Sequence, residues 1–200
     1  MDAITVRVAG PGDRVAVDAL HEREWGGPYV IGHDTRYDLR TLPTLVAVDG
    51  AGAVVGALAH HRDGDGLEVV SVVAARPGGG AGTALLDAAA RTARAAGLAR
   101  LWLITTNDNL RALRFYQRRG LRLVGVDRGA VDRARRLKPE IPLIGENGIP
   151  LHDELILERR LGPGGEDQLP PDPPRIQVGA PTATTARVSL PPCPPHPGSH

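Results

Sequence analysis

The chain has 200 residues, enough for one domain of ordinary size, and its formal net charge of +1 gives no support to broad nucleic-acid or membrane binding. Its one cysteine, Cys193, excludes an intramolecular disulfide, and no Cys-x-x-Cys or His-Glu-x-x-His spacing offers a metal site. No apolar run approaches the ~20 residues of a membrane span, and the start lacks an export signal, so we expect a cytoplasmic protein.

The first part of the chain predicts one helix and four strands. "ITVRVAG" (4–10) has the period-two pattern of a half-buried strand, and "PGDRVAVDALHERE" (11–24) predicts a helix opened by Pro11 or capped by Asp13. An irregular segment is expected at 25–43. The runs 44–49, 53–63 and 67–75 are separated by the turn signals "DGAG" and "GDG", which predicts an antiparallel three-stranded meander.

The following residues alternate helices with strands. "GTALLDAAARTARAAG" (82–97) predicts a helix with Leu85 and Ala89 on its apolar face, and "LARLWLITT" (98–106) a buried strand parallel to the one before that helix. "NDNLRALRFYQRRG" (107–120) predicts a second helix ended by Gly120, and strands at 121–127 and 153–161 enclose an insert at 128–152. This order indicates an α+β fold with a mixed sheet.

The end of the chain differs in composition. Beyond residue 161 it holds most of the prolines and almost no periodic apolar pattern, so it cannot bury enough apolar area to offset its ordering entropy. We therefore expect a domain at 1–161 and a disordered tail at 162–200, with Cys193 incidental. Arginine far outnumbers lysine, whose one copy is Lys138, and Ala, Gly and Pro are abundant, which is typical of a GC-rich bacterial genome.

A glycine-rich loop, "RPGGGAGTALL" (76–86), precedes the first of these two helices. Each glycine costs up to about 1 kcal/mol relative to alanine, and glycine permits backbone N–H groups to converge on an anion at a helix N-terminus. The loop alone is compatible with a flexible turn or with a phosphate cradle. A Walker loop is excluded because no Gly-Lys-Ser or Gly-Lys-Thr follows, and the dinucleotide fingerprint fails at Thr83 and at Leu85.

The second helix carries another pattern. Asn109, Ala112 and Tyr116 recur at i, i+3 and i+7, hence on one face that begins beside the carboxyl end of the preceding strand. Taken singly, Asn109 also fits a plain helix cap and Tyr116 a core residue. Together with the glycine loop they predict one groove.

The segments "RPGGGAGTALL" and "TTNDNLRALRFYQRRGLRLV" in this order strongly resemble the GNAT superfamily of acyl-CoA-dependent N-acetyltransferases, from about Ile4 to Leu161. The resemblance implies a GNAT-like mixed, mostly antiparallel sheet with a central parallel, splayed strand pair and flanking helices. It also implies acetyl-CoA as co-substrate, an amine acceptor and no metal. The chain departs from the family pattern at Pro77, where Gln or Arg is usual, and at Leu121, where many members carry Phe.

The resemblance also implies residue roles. Val73 and Ala75 are expected to pair with the pantetheine arm, and Tyr116 to protonate the leaving thiolate, since a phenol pKa near 10 suits a thiol of roughly 8.5. Glu68 is the expected base, directly or through water, with His60, His61 and Asp65 as alternatives. The implied cofactor-binding residues are Val73, Ala75, Arg76, Gly78, Gly79, Gly80, Ala81, Gly82, Thr83, Asn109 and Ala112.

The acceptor site is expected between "EWGGPYVIGHDTRYDL" (24–39) and the insert "RGAVDRARRLKPEIPLIG" (128–145). Trp25, Tyr29 and Tyr37 either hold the amine or pack. The arginines of the insert, Arg133, Arg135 and Arg136, either attract an acidic substrate or form a solvated face. The leading hypothesis is an N-acetyltransferase acting on a primary amine of a small molecule or protein by direct attack. The alternative is a non-catalytic acyl-CoA-binding regulatory module. The oligomeric state stays open, with a homodimer among the alternatives.

Overall fold

A computed structural model describes residues 4–162 of the chain. The proline-rich tail predicted from residue 162 onward, Cys193 included, lies outside the described residues apart from its first position. None of the helices between residues 4 and 162 has the length and apolar character needed to cross a membrane.

The described residues form a seven-stranded sheet, a separate two-stranded hairpin and the helices that cover the sheet. The strands are β1 (Thr5–Val8), β2 (Tyr29–Gly32), β3 (Thr35–Asp38), β4 (Thr44–Val48), β5 (Val54–Asp63), β6 (Gly66–Ala74), β7 (Arg100–Thr106), β8 (Arg122–Asp127) and β9 (Glu154–Arg160). The α-helices are α1 (Arg14–Trp25), α2 (Ala81–Ala95), α3 (Leu110–Gln117) and α4 (Ala130–Ala134). Short 3-10 helices occur at Pro11–Asp13, Leu39–Thr41 and Glu146–Gly148.

The strand order in the main sheet is β1-β4-β5-β6-β7-β9-β8, and β6 and β7 form its parallel pair among antiparallel neighbours. The predicted α+β fold with a mixed sheet is therefore confirmed. The meander β4-β5-β6 and the parallel pairing of the strands flanking α2 also agree with the prediction.

Period-two alternation distributes the apolar side chains of the central strands to two faces. Leu45, Ala47 and Leu58 pack in one cluster with the apolar face of α2, whereas Val46 and Ala57 pack in another with α1. Successive residues of a strand point to opposite faces, so each central strand contributes to both layers. The sheet is thus covered on both sides, with α1 on one face and α2 on the other.

The parallel pair is joined over a short distance. β6 and β7 pair only at Gly66–Arg100, Leu67–Leu101 and Glu68–Trp102, although β6 runs on to Ala74 and β7 to Thr106. Just past the last pair, the register between β5 and β6 shifts so that Val70 is an extra residue on β6. A bulge bends its strand, so β6 turns away from β7 and leaves a wedge-shaped opening. The predicted splay is present in the structure.

The segment 25–43, expected to be irregular, contains the antiparallel hairpin β2-β3. Its two-residue turn is formed by His33 and Asp34, both with positive φ (48° and 58°). Such turns usually carry Asn or Gly, so the sequence lacked the usual signal. The hairpin lies over the opening between β6 and β7, where its side chains reach the site described below.

Candidate active site

Two cavities meet at the opening between β6 and β7. The larger, here called the loop groove, has a volume of about 440 Å³ and lies between the end of β6, the glycine loop and α3. The smaller, here called the splay cavity, has about 130 Å³ and lies under the hairpin. Trp25, Val72, Asn109 and Tyr116 line both. A ligand in the groove and another in the cavity would therefore meet at Asn109 and Tyr116.

The glycine loop forms one end of the groove. Gly78 and Gly80 have φ of +79° and +85°, a region that side chains disfavour, and Gly80 is the residue from which α2 begins. The first N–H groups of a helix have no intrahelical partner, so those at the start of α2 are available to an anion. Arg76, Gly78, Gly80, Gly82 and Thr83 line the groove, as expected; Gly79 lies in the same loop, and Ala81 is buried beneath it.

Arginines make the groove cationic. Arg23, Arg76, Arg111 and Arg119 line it, together with one acid, Glu24. Arg119 donates to the Thr83 hydroxyl from Nε at 3.0 Å and lies over the Phe115 ring at 4.4 Å. It thus ties α3 to the start of α2. Sequence reasoning missed all of these arginines except Arg76, because their position depends on how α1 and α3 pack.

The face predicted for α3 is present. Asn109 is the N-cap of α3, with its side-chain oxygen accepting from the Ala112 N–H at 3.0 Å, and it also lines both cavities. The cap and the groove-lining interpretations therefore both hold. Tyr116 is 9% exposed, and burial raises the pKa of its phenol well above the ordinary value. Within residues 4–162 no side chain or backbone group hydrogen-bonds its hydroxyl.

The free backbone edge of β6 differs by one residue from the prediction. The Ala75 N–H donates to the Val55 carbonyl at 2.8 Å, so it belongs to the ladder with β5. The Ala74 carbonyl instead accepts from Arg23 at 3.4 Å. Because alternate residues of a strand face alternate neighbours, Val73 faces β5 like Ala75, while Val72 and Ala74 face the opening. The expected pairing of Val73 and Ala75 is corrected accordingly.

Glu68 is the centre of a polar cluster beneath the hairpin. Glu68 is 2% exposed, and its carboxylate accepts from the Tyr37 hydroxyl at 3.2 Å and lies 2.5 Å from His61 Nε2 and 3.6 Å from His33 Nε2. Burial alone would raise the pKa of Glu68, but the interactions with the two imidazoles outweigh it and lower the pKa. The interaction with the nearby Glu68 carboxylate in turn raises the pKa of His33. Glu68 is thus ionised and linked to two bases.

A second acid, Glu154, lines the same cavity. It is 3% exposed, opens β9 and accepts from the His33 backbone N–H at 3.2 Å. Burial raises its pKa. The sequence offered one signal, an acid that opens an apolar strand. In the described part of the chain, no group of three or more His, Cys, Asp or Glu side chains is arranged to hold a metal ion.

The other candidate bases lie elsewhere. His60 is buried, its pKa is lowered by burial, and its Nδ1 has no partner within the described residues. It is absent from the lining of the splay cavity, as is Asp65, which binds Arg100 at 3.0 Å. Of the three alternatives, only His61 contacts Glu68. His60 and Asp65 are therefore corrected as base candidates.

The hairpin lines the expected acceptor site, whereas the insert braces the hairpin from outside. Val30, Ile31, Gly32 and Tyr37 line the splay cavity, but no residue of 128–145 does. The insert holds the hairpin through Lys138, whose Nζ donates to the Tyr29 carbonyl at 3.4 Å and to the Trp25 carbonyl at the end of α1 at 2.8 Å, and through Arg133. Arg133 pairs with Asp34 and Asp127, and Arg135 with Asp132.

The aromatic candidates separate into two groups. Trp25 lines both cavities and donates from Nε1 to the Ser71 hydroxyl at 3.0 Å, and Tyr37 donates to Glu68 as described. The Tyr29 hydroxyl accepts from Arg40 at 2.7 Å, outside both cavities. Trp25 and Tyr37 therefore remain candidates for contact with an acceptor, and Tyr29 is a packing residue.

Comparison with known proteins gives a consistent result. Residues 15–121 match the model of the Acetyltransferase (GNAT) family. The chain is 37% identical over 145 residues to the uncharacterized protein YxbD of Bacillus subtilis (strain 168), covering 72% of this chain and 91% of that one. The fold resembles an IAA acetyltransferase from Bacillus cereus ATCC 14579 (TM-score 0.57, 24% identity, 80% and 100% of the chains). It also resembles a GNAT family acetyltransferase from Elizabethkingia anophelis with acetyl-CoA bound (TM-score 0.56, 21% identity, 79% and 98%).

Proposed function

The chain belongs to the GNAT family of acetyltransferases, and we propose that it transfers an acetyl group from acetyl-CoA to a primary amine by direct attack. One observation carries the proposal: a cationic groove and an acidic cavity meet at Asn109 and Tyr116. The groove suits the anionic co-substrate and the cavity suits a cationic amine, so the two substrates would meet at this junction.

The groove residues fit acetyl-CoA. The N–H groups at the start of α2 and the side chains of Arg23, Arg76 and Arg111 would hold its phosphates. The helix dipole contributes only ~0.3–1 kcal/mol at an exposed end, so most of the affinity comes from direct N–H and guanidinium bonds. The backbone groups of Val72 and Ala74 on the open edge of β6 would pair with the amide-bearing pantetheine arm.

Glu68 is the proposed base. An ammonium has no lone pair, so a proton must leave before the nitrogen attacks the thioester carbon. Glu68 lines the cavity and accepts this proton directly or through water. A carboxylate with a lowered pKa is a weak final acceptor, and each pKa unit costs about 1.4 kcal/mol. His61, in contact with Glu68 and with 30% of its side chain exposed, passes the proton to solvent.

Tyr116 is the proposed acid. As the new C–N bond forms and the C–S bond breaks, the departing sulfur carries negative charge. Because burial raises its pKa, the Tyr116 phenol stays protonated at neutral pH and donates to that sulfur. Asn109 and Val72, which line the same junction, help to position the reacting groups.

The alternative is a regulatory module that binds acyl-CoA without turnover. It requires only the groove. The cluster of buried Glu68 with the half-buried His61 and His33 lies beyond the groove and has no role in binding the nucleotide. A carboxylate that is 2% exposed needs such partners to compensate its burial, and a module that only binds acyl-CoA has no use for this arrangement, so the cluster favours the enzyme. A cytoplasmic location and a homodimer remain predictions.

A two-part experiment tests the function. Acetyl-CoA at 100 times its Kd should stabilise the protein by about 2.7 kcal/mol, read as a shift in Tm. Free-thiol release over a panel of primary amines, with mass spectrometry of the products, then measures transfer. Binding with transfer to no amine supports the regulatory module. A Tm shift with NAD or ATP but with no acyl-CoA contradicts both hypotheses.

A further inference from the structure

The charged side chains that line the splay cavity are acidic. Its lining includes two carboxylates, Glu68 and Glu154, and no lysine or arginine among the described residues. Its other polar side chains are neutral, namely Trp25, Tyr37, Ser71, Thr105, Thr106, Asn109 and Tyr116. An occupant bearing a carboxylate would find no cation there, whereas an occupant with two ammonium groups would find an acid for each.

The two carboxylates differ in how well they are compensated. Glu68 contacts the two imidazoles and Tyr37. Glu154 is nearly as buried, yet within residues 4–162 the one hydrogen bond to its carboxylate comes from the His33 backbone N–H, and no Lys or Arg pairs with it. A buried carboxylate is costly unless a charge partner is present, and environments that differ in this way assign different roles to two acids. Glu154 is therefore a buried carboxylate without a lysine or arginine partner among residues 4–162.

His33 connects the two acids. Its backbone N–H donates to Glu154, and its imidazole lies 3.6 Å from Glu68. The carboxylates thus lie on either side of one residue at the turn of the hairpin. A molecule with a cationic group at each end can reach both only if the chain between them is short.

The remaining wall and the size of the cavity suit a short aliphatic chain. Val30, Ile31, Val70 and Ile104 supply apolar surface along the cavity. The volume of about 130 Å³ is close to the ~150 Å³ of an engineered cavity that holds benzene, so about six non-hydrogen atoms fit. This size fits two amino groups joined by about four methylenes.

We infer that the acceptor is a short aliphatic diamine without an acid group. One nitrogen loses its proton towards Glu68 and attacks, while the other stays an ammonium and pairs with Glu154. This inference rests on the proposed function and adds the substrate class. Glu154 is then a specificity-determining residue, because the distal cation is the part of the acceptor that it recognises.

Three amines with four carbons each test the inference: 1,4-diaminobutane, butylamine and 4-aminobutanoate. They present the same attacking amine with a cationic, an apolar or an anionic distal end. We expect kcat/KM for the diamine to exceed that of butylamine at least tenfold and that of the amino acid at least a hundredfold. This comparison uses the wild-type protein and needs no variant to fold.

A variant then tests the residue. Glu154→Gln keeps the shape and removes the charge, so the ratio of kcat/KM for diamine over butylamine should fall to near one. Glu140→Gln makes the same change at an exposed position of the insert and should leave the ratio unchanged. An acetyl-CoA-induced Tm shift equal to that of the wild type verifies that each variant is folded.

The possible outcomes distinguish failure of the diamine inference from failure of the proposed acetyltransferase function. Equal kcat/KM for the three amines, or a higher value for a lysine-containing peptide, overturns the diamine while the acetyltransferase stands. A ratio that Glu154→Gln leaves intact overturns the role of Glu154. Transfer to no amine at all, with acetyl-CoA still bound, overturns the proposed function and the inference with it.

Discussion

Replacing Tyr116 by phenylalanine removes one oxygen atom from the junction of the two cavities. The ring packs against Phe115, with centroids 5.4 Å apart, and this contact does not depend on the hydroxyl. No group within residues 4–162 hydrogen-bonds that hydroxyl, although Tyr116 is only 9% exposed. The change therefore deletes the proposed proton donor and no protein–protein hydrogen bond.

Tyr116→Phe should change stability little and activity strongly. The Tyr116 hydroxyl faces the two cavities, and its removal leaves no protein group unpaired, so Tyr116→Phe should leave the free energy of unfolding nearly unchanged. Loss of an acid that contributes tenfold or more raises the activation barrier by at least about 1.4 kcal/mol. We thus expect kcat to fall at least tenfold in a protein that is no less stable and that still binds acetyl-CoA.

Urea unfolding, acetyl-CoA binding and free-thiol release measure the three quantities. Tyr29→Phe is the matched control, because it removes a hydroxyl that accepts from Arg40 at 2.7 Å outside both cavities. It should lower stability slightly and leave kcat within about twofold. Unchanged kcat in Tyr116→Phe would refute the role of Tyr116 as the acid. A loss of stability larger than that of Tyr29→Phe would contradict the statement that the Tyr116 hydroxyl has no hydrogen-bond partner in the protein.

Three further predictions follow from the site and the core. Glu68→Gln should lower kcat/KM at least about a hundredfold with acetyl-CoA binding retained, and unchanged initial rates would reject the base. Gly80→Ala introduces a side chain at φ +85°, so it should lower the unfolding free energy by roughly 1–2 kcal/mol and weaken acetyl-CoA binding. Gly12→Ala is the control and should be nearly neutral, because no atom lies within 4 Å of the added carbon. Burial lowers the pKa of His21, so the folded state keeps it neutral, and the unfolded state gains the proton as pH falls below about 6.5. Unfolding free energy should thus drop between about pH 7.5 and about pH 5.5, and less in His21→Leu; equal drops in urea titrations would contradict this.

The sequence predicted best those features that repeat at short range. The alternation in the meander and the apolar face of α2 were recognisable because each residue's burial follows from its neighbours in the same element. The hairpin β2-β3 was missed, since His33 and Asp34 adopt positive φ without the usual Gly or Asn. Its turn is held from outside by the insert, notably by Arg133 bound to Asp34.

The site was predicted where its spacing is local and missed where it depends on distant contacts. Asn109 and Tyr116 share a face because they are seven residues apart on one helix. The partnership of His33 with Glu154 joins residues 121 positions apart, which no local pattern encodes. The bulge at Val70 adds one residue to β6 and so reverses which of its residues hydrogen-bond to β5. The open edge therefore carries Val72 and Ala74 instead of Val73 and Ala75.

The opening between β6 and β7 also determines how cooperatively the sheet unfolds. Strands β1, β4, β5 and β6 form one block and β7, β9 and β8 another, and three residue pairs join them, fewer than join any other neighbours in the sheet. A seam with few ladder hydrogen bonds opens before its surroundings, so amide hydrogen exchange should be fastest along it. If the pantetheine arm pairs with Val72 and Ala74 as proposed, the bound molecule would take the place of a strand beside β6, and exchange of the amides on this edge should slow when acetyl-CoA is added.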